Sequence, residues 1–247
     1  MSISPYGLLM LAAIVVSICF WWRLARRDGR LVWIYIGALI GAFVGAKALY
    51  FLAEGWMDLG QADFWQRLAT GKTIIGGLLG GYAGVEITKR LVGYPGVTGD
   101  WFALIAPVGI ILGRFGCLLH GCCQGIECSP SWFTLKDRGG LARWPSVPME
   151  IAFNLSALAV FFFLRRNRLL PGQHFHLYLI GYGAFRFGHE FLRAEPRVAG
   201  PFTGYHAAAL VLLGLGLVSF ASRRRNPGLT PLPQRPEPAL YRPREIR

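Results

Sequence analysis

Charged residues are scarce in this sequence. Only 16% of the 247 residues are Asp, Glu, Lys or Arg, whereas an ordinary soluble domain has about 25%. Negatively charged residues are scarcer than positively charged ones, since 13 acidic residues and 26 lysines and arginines give a formal net charge of +13. A surface with so few charges does not suit a protein that is surrounded by water, and an ordinary soluble domain is excluded.

Cysteines are also few, and the glycine-rich segment lacks a nucleotide-binding signature. Five cysteines in a chain of this length are too few for a small domain held together by disulfides. Residues 76–81 read Gly-Gly-Leu-Leu-Gly-Gly without the Lys-Ser/Thr ending of a P-loop. This pattern favours a helix crossing over a phosphate cradle.

The excess of basic residues would suit nucleic-acid binding only if the positive charge lay on one accessible face. We expect no nucleic-acid partner.

Apolar residues, in contrast, are abundant. They make up 53% of the chain, and the 32 glycines and eight tryptophans suit helices that pack closely in a bilayer and are anchored at its edges. A helix needs about 20 mostly apolar residues to cross a bilayer. Candidate spans lie at residues 5–22, 31–53, 73–85, 101–119, 146–164, 175–192 and 202–222. We therefore predict an all-α integral membrane protein with seven transmembrane helices.

The basic residues are concentrated in alternate connecting loops. The loops that follow spans one, three, five and seven hold 16 of the 26 basic residues, and the opposite loops hold seven. Loops rich in Lys and Arg remain in the cytoplasm. We therefore predict an amino terminus outside the cell and a cytoplasmic carboxyl terminus, which is also what an odd number of spans requires.

The two ends of the chain differ in composition. Residues 1–225 contain every predicted span and are expected to form one membrane domain. Residues 226–247 hold six prolines among arginines, a composition that cannot bury a core. We predict a disordered cytoplasmic tail there, either simply solvated or in contact with anionic lipid headgroups.

Six ionisable residues lie within or at the ends of the predicted spans, where each costs about 2.5–3.5 kcal/mol on insertion scales. They are Lys47, Glu86, Arg114, Glu150, Arg186 and Glu190. Arg114 and Arg186, directed into a cavity from different helices, would clamp a phosphate, because a guanidinium binds its oxygens in bidentate fashion. Alternatively, Arg114 pairs with Glu150 or Arg186 with Glu190, and these ion pairs only hold helices together. The residues alone leave both interpretations open.

Four cysteines cluster within twelve residues at the predicted outer end of span four. They are Cys117, Cys122, Cys123 and Cys128, with His120 among them. One or two structural disulfides are the first expectation in an oxidising compartment. Metal binding by thiolates and His120 is a second interpretation without the support of a CxxC pair, so we expect no metal site. A reactive thiol is the third, and Cys19 is expected to be a small buried apolar residue.

Four motifs resemble those of one known family. Residues 113–125 resemble its signature Gly-Arg-x-Gly-Asn-x-x-Asn-Gly-Glu-x-x-Gly, and residues 182–193 its element Tyr-Gly-x-Phe-Arg-Phe-x-x-Glu-Phe-x-Arg. The glycine run at 76–81 is similar to its glycine-rich third helix, and residues 143–150 to its Arg-His-Pro-Ser-Gln-Leu-Tyr-Glu stretch. The family is that of the bacterial prolipoprotein diacylglyceryl transferases, and the resemblance covers roughly residues 1–222.

The resemblance implies an enzyme of bacterial lipoprotein biosynthesis, a multi-pass protein of the cytoplasmic (inner) membrane that uses no cofactor. Its partners would be phosphatidylglycerol, as the diacylglyceryl donor, and the cysteine of a lipobox-bearing prolipoprotein or another thiol acceptor. Arg114 and Arg186 would hold the lipid phosphate and stabilise the leaving group, while Glu190 orients Arg186. The substrate-binding set implied beside these arginines is Tyr182, Gly116, Gly121, Glu150 and Arg193.

The sequence departs from the family pattern at positions that bear on chemistry. Ile75 occupies the place of a family histidine, the candidate base for the attacking thiol, and isoleucine cannot accept a proton. Cys117, His120 and Cys122 replace the signature's Asn, Asn and Glu. A base is either dispensable, because a thiol is already a few per cent thiolate near pH 7, or replaced by His120 as a catalytic base across the cavity. A competing interpretation is a non-catalytic or thiol-redox membrane protein on the same scaffold, in which the cysteines of residues 117–128 are the reactive groups.

Overall fold

The structure, a computed structural model, describes residues 5–225, apart from the side chains at positions 5, 6 and 10. Within that range it has eight α-helices and one two-stranded sheet. The helices are α1 (Pro5–Ala25), α2 (Arg30–Ala53), α3 (Phe64–Thr70), α4 (Ile74–Leu91), α5 (Gly99–His120), α6 (Ser146–Arg166), α7 (His174–Glu190) and α8 (Gly204–Arg225). A short 3₁₀ helix covers Gly55–Asp58, and the strands are β1 (Leu135–Lys136) and β2 (Ala142–Arg143). The predicted tail, residues 226–247, lies outside the described residues.

Each of the seven predicted spans coincides with one long helix. Among the described residues, α1, α2, α5, α6 and α8 are long and apolar enough to cross a membrane. The other two are more polar, since α4 carries Glu86, Lys89 and Arg90, and the 17-residue α7 carries Arg186 and Glu190. The prediction of a helical membrane protein is confirmed, and the five apolar helices are its membrane-crossing candidates.

Glycines at every fourth position line the contact between α2 and α4. They are Gly37, Gly41 and Gly45 on α2 and Gly76, Gly80 and Gly84 on α4. A Cβ atom added to Gly41 or Gly80 would collide with the backbone oxygen of the other residue, so only glycine permits this approach of the two backbones. The helix-crossing interpretation of the glycine run is thus confirmed. Gly77 and Gly81, in the same run, line a cavity instead.

The polar helix α7 is one of the most buried parts of the bundle. Nine of its 17 residues are buried, among them both of its ion-pairing residues, Arg186 and Glu190. It packs closely against α8, because a Cβ on Gly183 would meet the Leu213 backbone nitrogen at 2.8 Å. Charged side chains inside a membrane protein usually face the bundle interior, and α7 places its charges there.

Three small elements were not predicted from the sequence, and all lie in connecting segments: the 3₁₀ helix, α3 and the β1–β2 hairpin. Helix α3 is anchored by Lys47 of α2, whose ammonium donates hydrogen bonds to the carbonyls of Leu68, Ala69 and Gly71 at the α3 carboxyl end. A cation at a helix carboxyl terminus satisfies carbonyls that lack helical partners. The β1–β2 hairpin follows the cysteine-rich segment, with Leu135 opposite Arg143. Lys47 therefore has a structural role.

Candidate functional site

A cavity of about 1360 Å³ lies between the helices. Its lining includes residues near both ends of α4, Ile74 and Lys89, and near both ends of α5, Gly99 and His120. The cavity therefore extends along most of the length of the bundle. Its walls are mainly apolar, with polar groups gathered at particular positions, which is the usual composition of a ligand site.

Arg114 of α5 is held by a buried network that joins three helices. Its Nη2 lies 2.7 Å from Oε2 of Glu150 on α6. The Tyr182 hydroxyl on α7 donates to Oε1 of Glu150 at 2.5 Å. Behind them, Asn154 donates to the Glu150 carbonyl at 2.8 Å, and the Tyr178 hydroxyl donates to Oδ1 of Asn154 at 2.7 Å. The position of the Arg114 guanidinium is therefore fixed from α6 and α7.

Arg186 and Arg193 share a second network on the carboxyl side of α7. Arg186 forms an ion pair with Glu190 one turn later, and Oγ1 of Thr203 donates to Oε1 of Glu190 at 2.9 Å. Arg193 lies 3.7 Å from the same carboxylate through Nε, and its Nη2 donates to Oε1 of Glu195 at 2.5 Å. Arg114, Arg186 and Arg193, here the arginine cluster, all line the cavity.

The structure contains both features that the sequence left as alternatives. The ion pairs Arg114–Glu150 and Arg186–Glu190 are formed, and both arginines also line the cavity. Within the described residues, Nε of Arg114 and Nη1 of Arg193 are buried N–H groups without a hydrogen-bond partner. Because a buried donor without a partner costs free energy, these groups are suited to bind oxygen atoms of an anionic ligand.

The remaining predicted site residues lie at different depths around the cluster. His120, the last residue of α5, lines the cavity with an exposed side chain. Gly116 is buried within α5. Gly121 caps α5 with φ of +69°, a conformation that glycine adopts readily. Neither glycine is part of the cavity lining, whereas Tyr182 and Glu150 contact Arg114 and its network directly.

Three of the predicted thiols meet at the carboxyl end of α5. The Sγ atoms of Cys117, Cys122 and Cys123, here the thiol cluster, all lie within 4.8 Å of one another. Cys117 lies 3.9 Å from Nη1 of Arg114, and its Sγ lies 3.9 Å from that of Cys123. Hydrogen bonding with the Cys117 and Cys122 thiols lowers the pKa of Cys123, and the positive charges of Arg114 and Arg193 act in the same direction.

The cysteine pattern differs from the expectations in three respects. All five cysteines lie among the described residues and are free thiols, so the structure does not contain the expected disulfides. Cys128 is separate from the thiol cluster and directs its Sγ to the Ala142 carbonyl at 3.9 Å. Cys19 is exposed on α1, which makes the expectation of a buried residue wrong, because α1 lies at the edge of the bundle.

Glu54 is a candidate site residue that the sequence reasoning missed. It follows α2 directly, lines the cavity and is hydrogen-bonded with Tyr205. Burial, followed by the negative charge of Glu195, raises the pKa of Glu54 to about 7. In the sequence, Glu54 is recognisable only as the residue that follows an apolar span. The residues that bury it come from distant parts of the chain, so the local sequence does not reveal its environment.

The position of Ile75 explains how Glu54 relates to the missing histidine. Ile75 is completely buried at the start of α4, in one hydrophobic cluster with Ala53 and Tyr205. Glu54 is the next residue after Ala53, and it contacts Tyr205. Glu54, a carboxyl group with a raised pKa, therefore directly follows a residue of the hydrophobic cluster that also contains Ile75.

Comparison with known proteins agrees with the motif resemblance. A family model described as prolipoprotein diacylglyceryl transferase matches residues 1–222. A protein of Methylocella silvestris is 31% identical over 80% of this chain and 76% of its own length. One of Geobacter sulfurreducens is 32% identical over 77% of this chain and 76% of its own, and one of Pseudoalteromonas atlantica is 26% identical over 95% and 90%. All three relatives are named phosphatidylglycerol–prolipoprotein diacylglyceryl transferase.

Proposed function

Because this chain belongs to the prolipoprotein diacylglyceryl transferase family, we propose that it transfers the diacylglyceryl group of phosphatidylglycerol to the cysteine of a lipobox-bearing prolipoprotein. The single observation that carries this proposal is the arginine cluster, which lies in the family-matched region and lines a large, mainly apolar cavity. Apolar walls suit the acyl chains of a lipid, and the guanidinium groups suit its phosphate.

The reaction forms one bond and breaks one. The acceptor sulfur attacks the glycerol carbon of the diacylglyceryl group, and the bond from that carbon to the phosphate oxygen breaks. The products are a thioether and glycerol phosphate, and the thiol proton passes to a base. Negative charge grows on the departing phosphate oxygen, where preorganised N–H donors stabilise the transition state most effectively.

The arginine cluster supplies those donors in our proposal. Arg114 and Arg186 bind the phosphate of the donor lipid, and Arg193 contributes from the end of α7. Glu150 and Glu190 hold the guanidinium groups in place through their ion pairs. The ion pairs thus serve binding as well as helix packing, since a fixed guanidinium loses less side-chain entropy when the ligand arrives.

Two groups are placed to accept the thiol proton in the absence of a histidine at position 75. His120 is the candidate that the sequence predicts, and Glu54 is the candidate that the structure adds. We favour Glu54, because it is half-buried beside Glu195, the partner of Arg193, and has a pKa of about 7. A general base is most effective when its pKa is near the working pH.

The proposed topology has seven spans, with α4 and α7 crossing inside a ring of more apolar helices in the cytoplasmic (inner) membrane. The basic loops support this orientation, with the amino terminus outside. The thiol cluster, Glu54 and the arginine cluster then lie toward the outer side. Reporter fusions after Arg90 and Arg168 should be cytoplasmic and those near Gly139 and Arg197 external. A cytoplasmic signal at Gly139 would contradict the orientation.

A second candidate function is favoured by the thiol cluster. Three free thiols beside Arg114 would suit a thiol-redox membrane protein on the same scaffold. Complementation of a conditional transferase-deficient bacterial strain separates the two functions when lipoprotein modification is read by mass spectrometry. Transfer predicts growth and diacylglyceryl-modified lipoprotein from the wild type and neither from Arg114→Ala. Unmodified lipoprotein despite normal expression would oppose the transferase proposal.

A further inference from the structure

We propose that the thiol cluster, Cys117, Cys122 and Cys123, is a three-thiolate binding site for copper(I). Thiolates are soft ligands and select soft cations such as Cu(I). No other group of three or more His, Cys, Asp or Glu side chains within residues 5–225 brings its ligand atoms as close together. None of its thiols is the acceptor in the proposed transfer reaction, although the site has Arg114 and Arg193 as neighbours in common with that reaction.

The spacing of the sulfur atoms matches a metal centre. Metal–sulfur bonds of about 2.3 Å place the sulfurs of a trigonal or tetrahedral site ~3.8–4.0 Å apart. The Sγ atoms of Cys117 and Cys123 are 3.9 Å apart, and all three lie within 4.8 Å of one another. One pair of sulfur atoms is therefore already at the spacing of a metal site, and the third lies at most 4.8 Å from each of them.

The backbone after α5 is shaped to bring these thiols together. Gly121 ends the helix in the left-handed region, and the Cys122 N–H bonds back to the Cys117 carbonyl at 3.1 Å. Cys123 also has a positive φ of 61°, which is uncommon for a residue with a side chain. Two left-handed residues thus fold the chain over the last turn of α5 and place Cys122 and Cys123 above Cys117.

Two guanidinium groups lie near the thiol cluster. Three thiolates and one Cu(I) carry a net charge of −2, which must be compensated in a half-buried site. Arg114 lies 3.9 Å from the Cys117 sulfur, and Arg193 also acts electrostatically on Cys123. The two guanidinium groups compensate this charge in part, because each is also paired with a carboxylate, Glu150 or Glu195. The three thiol protons are released on binding.

The alternative state of these residues is a disulfide. Closing Cys117 to Cys123 from 3.9 Å to the bond length of about 2.05 Å requires a modest movement, and an oxidising compartment favours it. It would leave one thiol and abolish the three-sulfur site. The redox state of the cluster therefore has to be measured together with metal binding.

The test titrates the purified full-length protein, reduced and handled without oxygen, with Cu(I) buffered by a chromophoric chelator. We expect one Cu(I) per chain and, by X-ray absorption, three sulfur neighbours at about 2.3 Å. Cys117→Ser, Cys122→Ser and Cys123→Ser should each weaken binding about 100-fold or more, beyond the usual loss for an outer-shell change. The matched control is Cys128→Ser, which removes a thiol outside the cluster and should bind as the wild type does.

Three results would overturn the proposal. The first is Cu(I) binding no tighter in the wild type than in the three serine variants. The second is fewer than three sulfur neighbours in the absorption spectrum, a measurement on the wild type that does not depend on whether variants fold. The third is a disulfide within the cluster in protein that is alkylated during isolation without reductant.

Discussion

The arginine cluster and the thiol cluster are neighbours that are built in opposite ways. Each guanidinium of the arginine cluster is held by a carboxylate, and Glu150 and Glu190 are in turn held by Tyr182 and Thr203. The thiols are held only by weak sulfur contacts on a left-handed turn. Removing one partner of a buried ion pair costs about 3–5 kcal/mol, whereas a thiol contact costs far less. The arginine cluster is therefore rigid, and the thiol cluster is adaptable.

The two clusters also differ in how they relate to the family motifs that this sequence resembles. The arginine cluster occupies positions that match the family motifs, and its rigidity suits transition-state stabilisation. The thiol cluster occupies positions where Cys117 and Cys122 replace the signature's polar residues. We infer that transfer depends on the first cluster and that the second adds a separate property. The following changes test that division.

Among substitutions that conserve size or charge, the largest effect on transfer is expected from Arg186→Lys. The lysine keeps the positive charge but cannot reproduce the two parallel N–H donors of a guanidinium, so transfer should fall about 10²–10³-fold. The measurement is the rate of transfer to a lipobox peptide at equal amounts of folded protein. Arg67→Lys is the control, because Arg67 is an exposed residue paired with Asp63, and it should retain the wild-type rate. Equal transfer rates for Arg186→Lys and the wild type would contradict phosphate binding by Arg186 and leave it only a structural role.

Glu54→Gln should have the next largest effect and should change the pH profile. If Glu54 is the base, the wild-type transfer rate rises as the pH passes about 7. The Glu54→Gln variant should lack this rise and transfer about 10²-fold more slowly. The acidic groups that act on Glu54 are Glu195, Asp58 and Glu190, and its hydrogen-bond partner is Tyr205. Asp58→Asn should move the midpoint to lower pH, because a negative charge near Glu54 is removed. If the pH dependence of the transfer rate is unchanged in Glu54→Gln and is lost in His120→Ala, the base is His120.

Stability distinguishes a catalytic Glu54 from a structural one. Its pKa in the fold is above the ordinary value of 4.5, so ionisation is disfavoured in the folded state. The contribution of Glu54 to the free energy of unfolding is fully present below pH 4.5 and is lost as the pH rises through about 7. Glu54→Gln should therefore unfold at a temperature at or above that of the wild type at pH 8, although it transfers more slowly. A lower unfolding temperature at pH 8 would indicate a structural role.

Cys122→Ser should have the smallest effect on transfer while weakening Cu(I) binding about 100-fold or more. A lost neutral hydrogen bond is worth about 1 kcal/mol, so transfer should fall by less than about tenfold. The comparison requires both measurements on the same preparation, with Cys128→Ser as the control for the loss of a thiol. Loss of transfer as large as in Arg186→Lys would show that the two clusters act as one site.

The sequence predicted the elements that depend on long local patterns. Seven apolar runs marked the seven long helices, and the glycine run of residues 76–81 marked a helix crossing, whose partner α2 only the structure identifies. The sequence also marked Arg114, Glu150, Arg186 and Glu190, because intramembrane charge is costly wherever it lies. Helix α3 and the hairpin were not predicted, because both are short. The contacts that stabilise them come from Lys47 and other residues outside the local pattern.

The parts of the site that escaped prediction depend on contacts between distant segments. Glu54 is set apart by Tyr205 and Glu195, which approach it only in the folded bundle. The spacing of the cysteines did not reveal that Cys128 is separate, because two left-handed residues, Gly121 and Cys123, decide which thiols meet. The ion pairs and the cavity-lining arginines were weighed as alternatives, but one guanidinium can do both when some of its N–H groups remain available.

The most direct test of the central claim is transfer by the purified full-length protein in phosphatidylglycerol-containing micelles, with a lipobox peptide that carries one cysteine. The account predicts a peptide whose mass has increased by one diacylglyceryl group and an equal amount of released glycerol phosphate. A peptide with serine in place of the cysteine, and the Arg114→Ala variant, should give neither product. The account would be contradicted if the wild type left the peptide unmodified under conditions in which the Methylocella silvestris relative modified it.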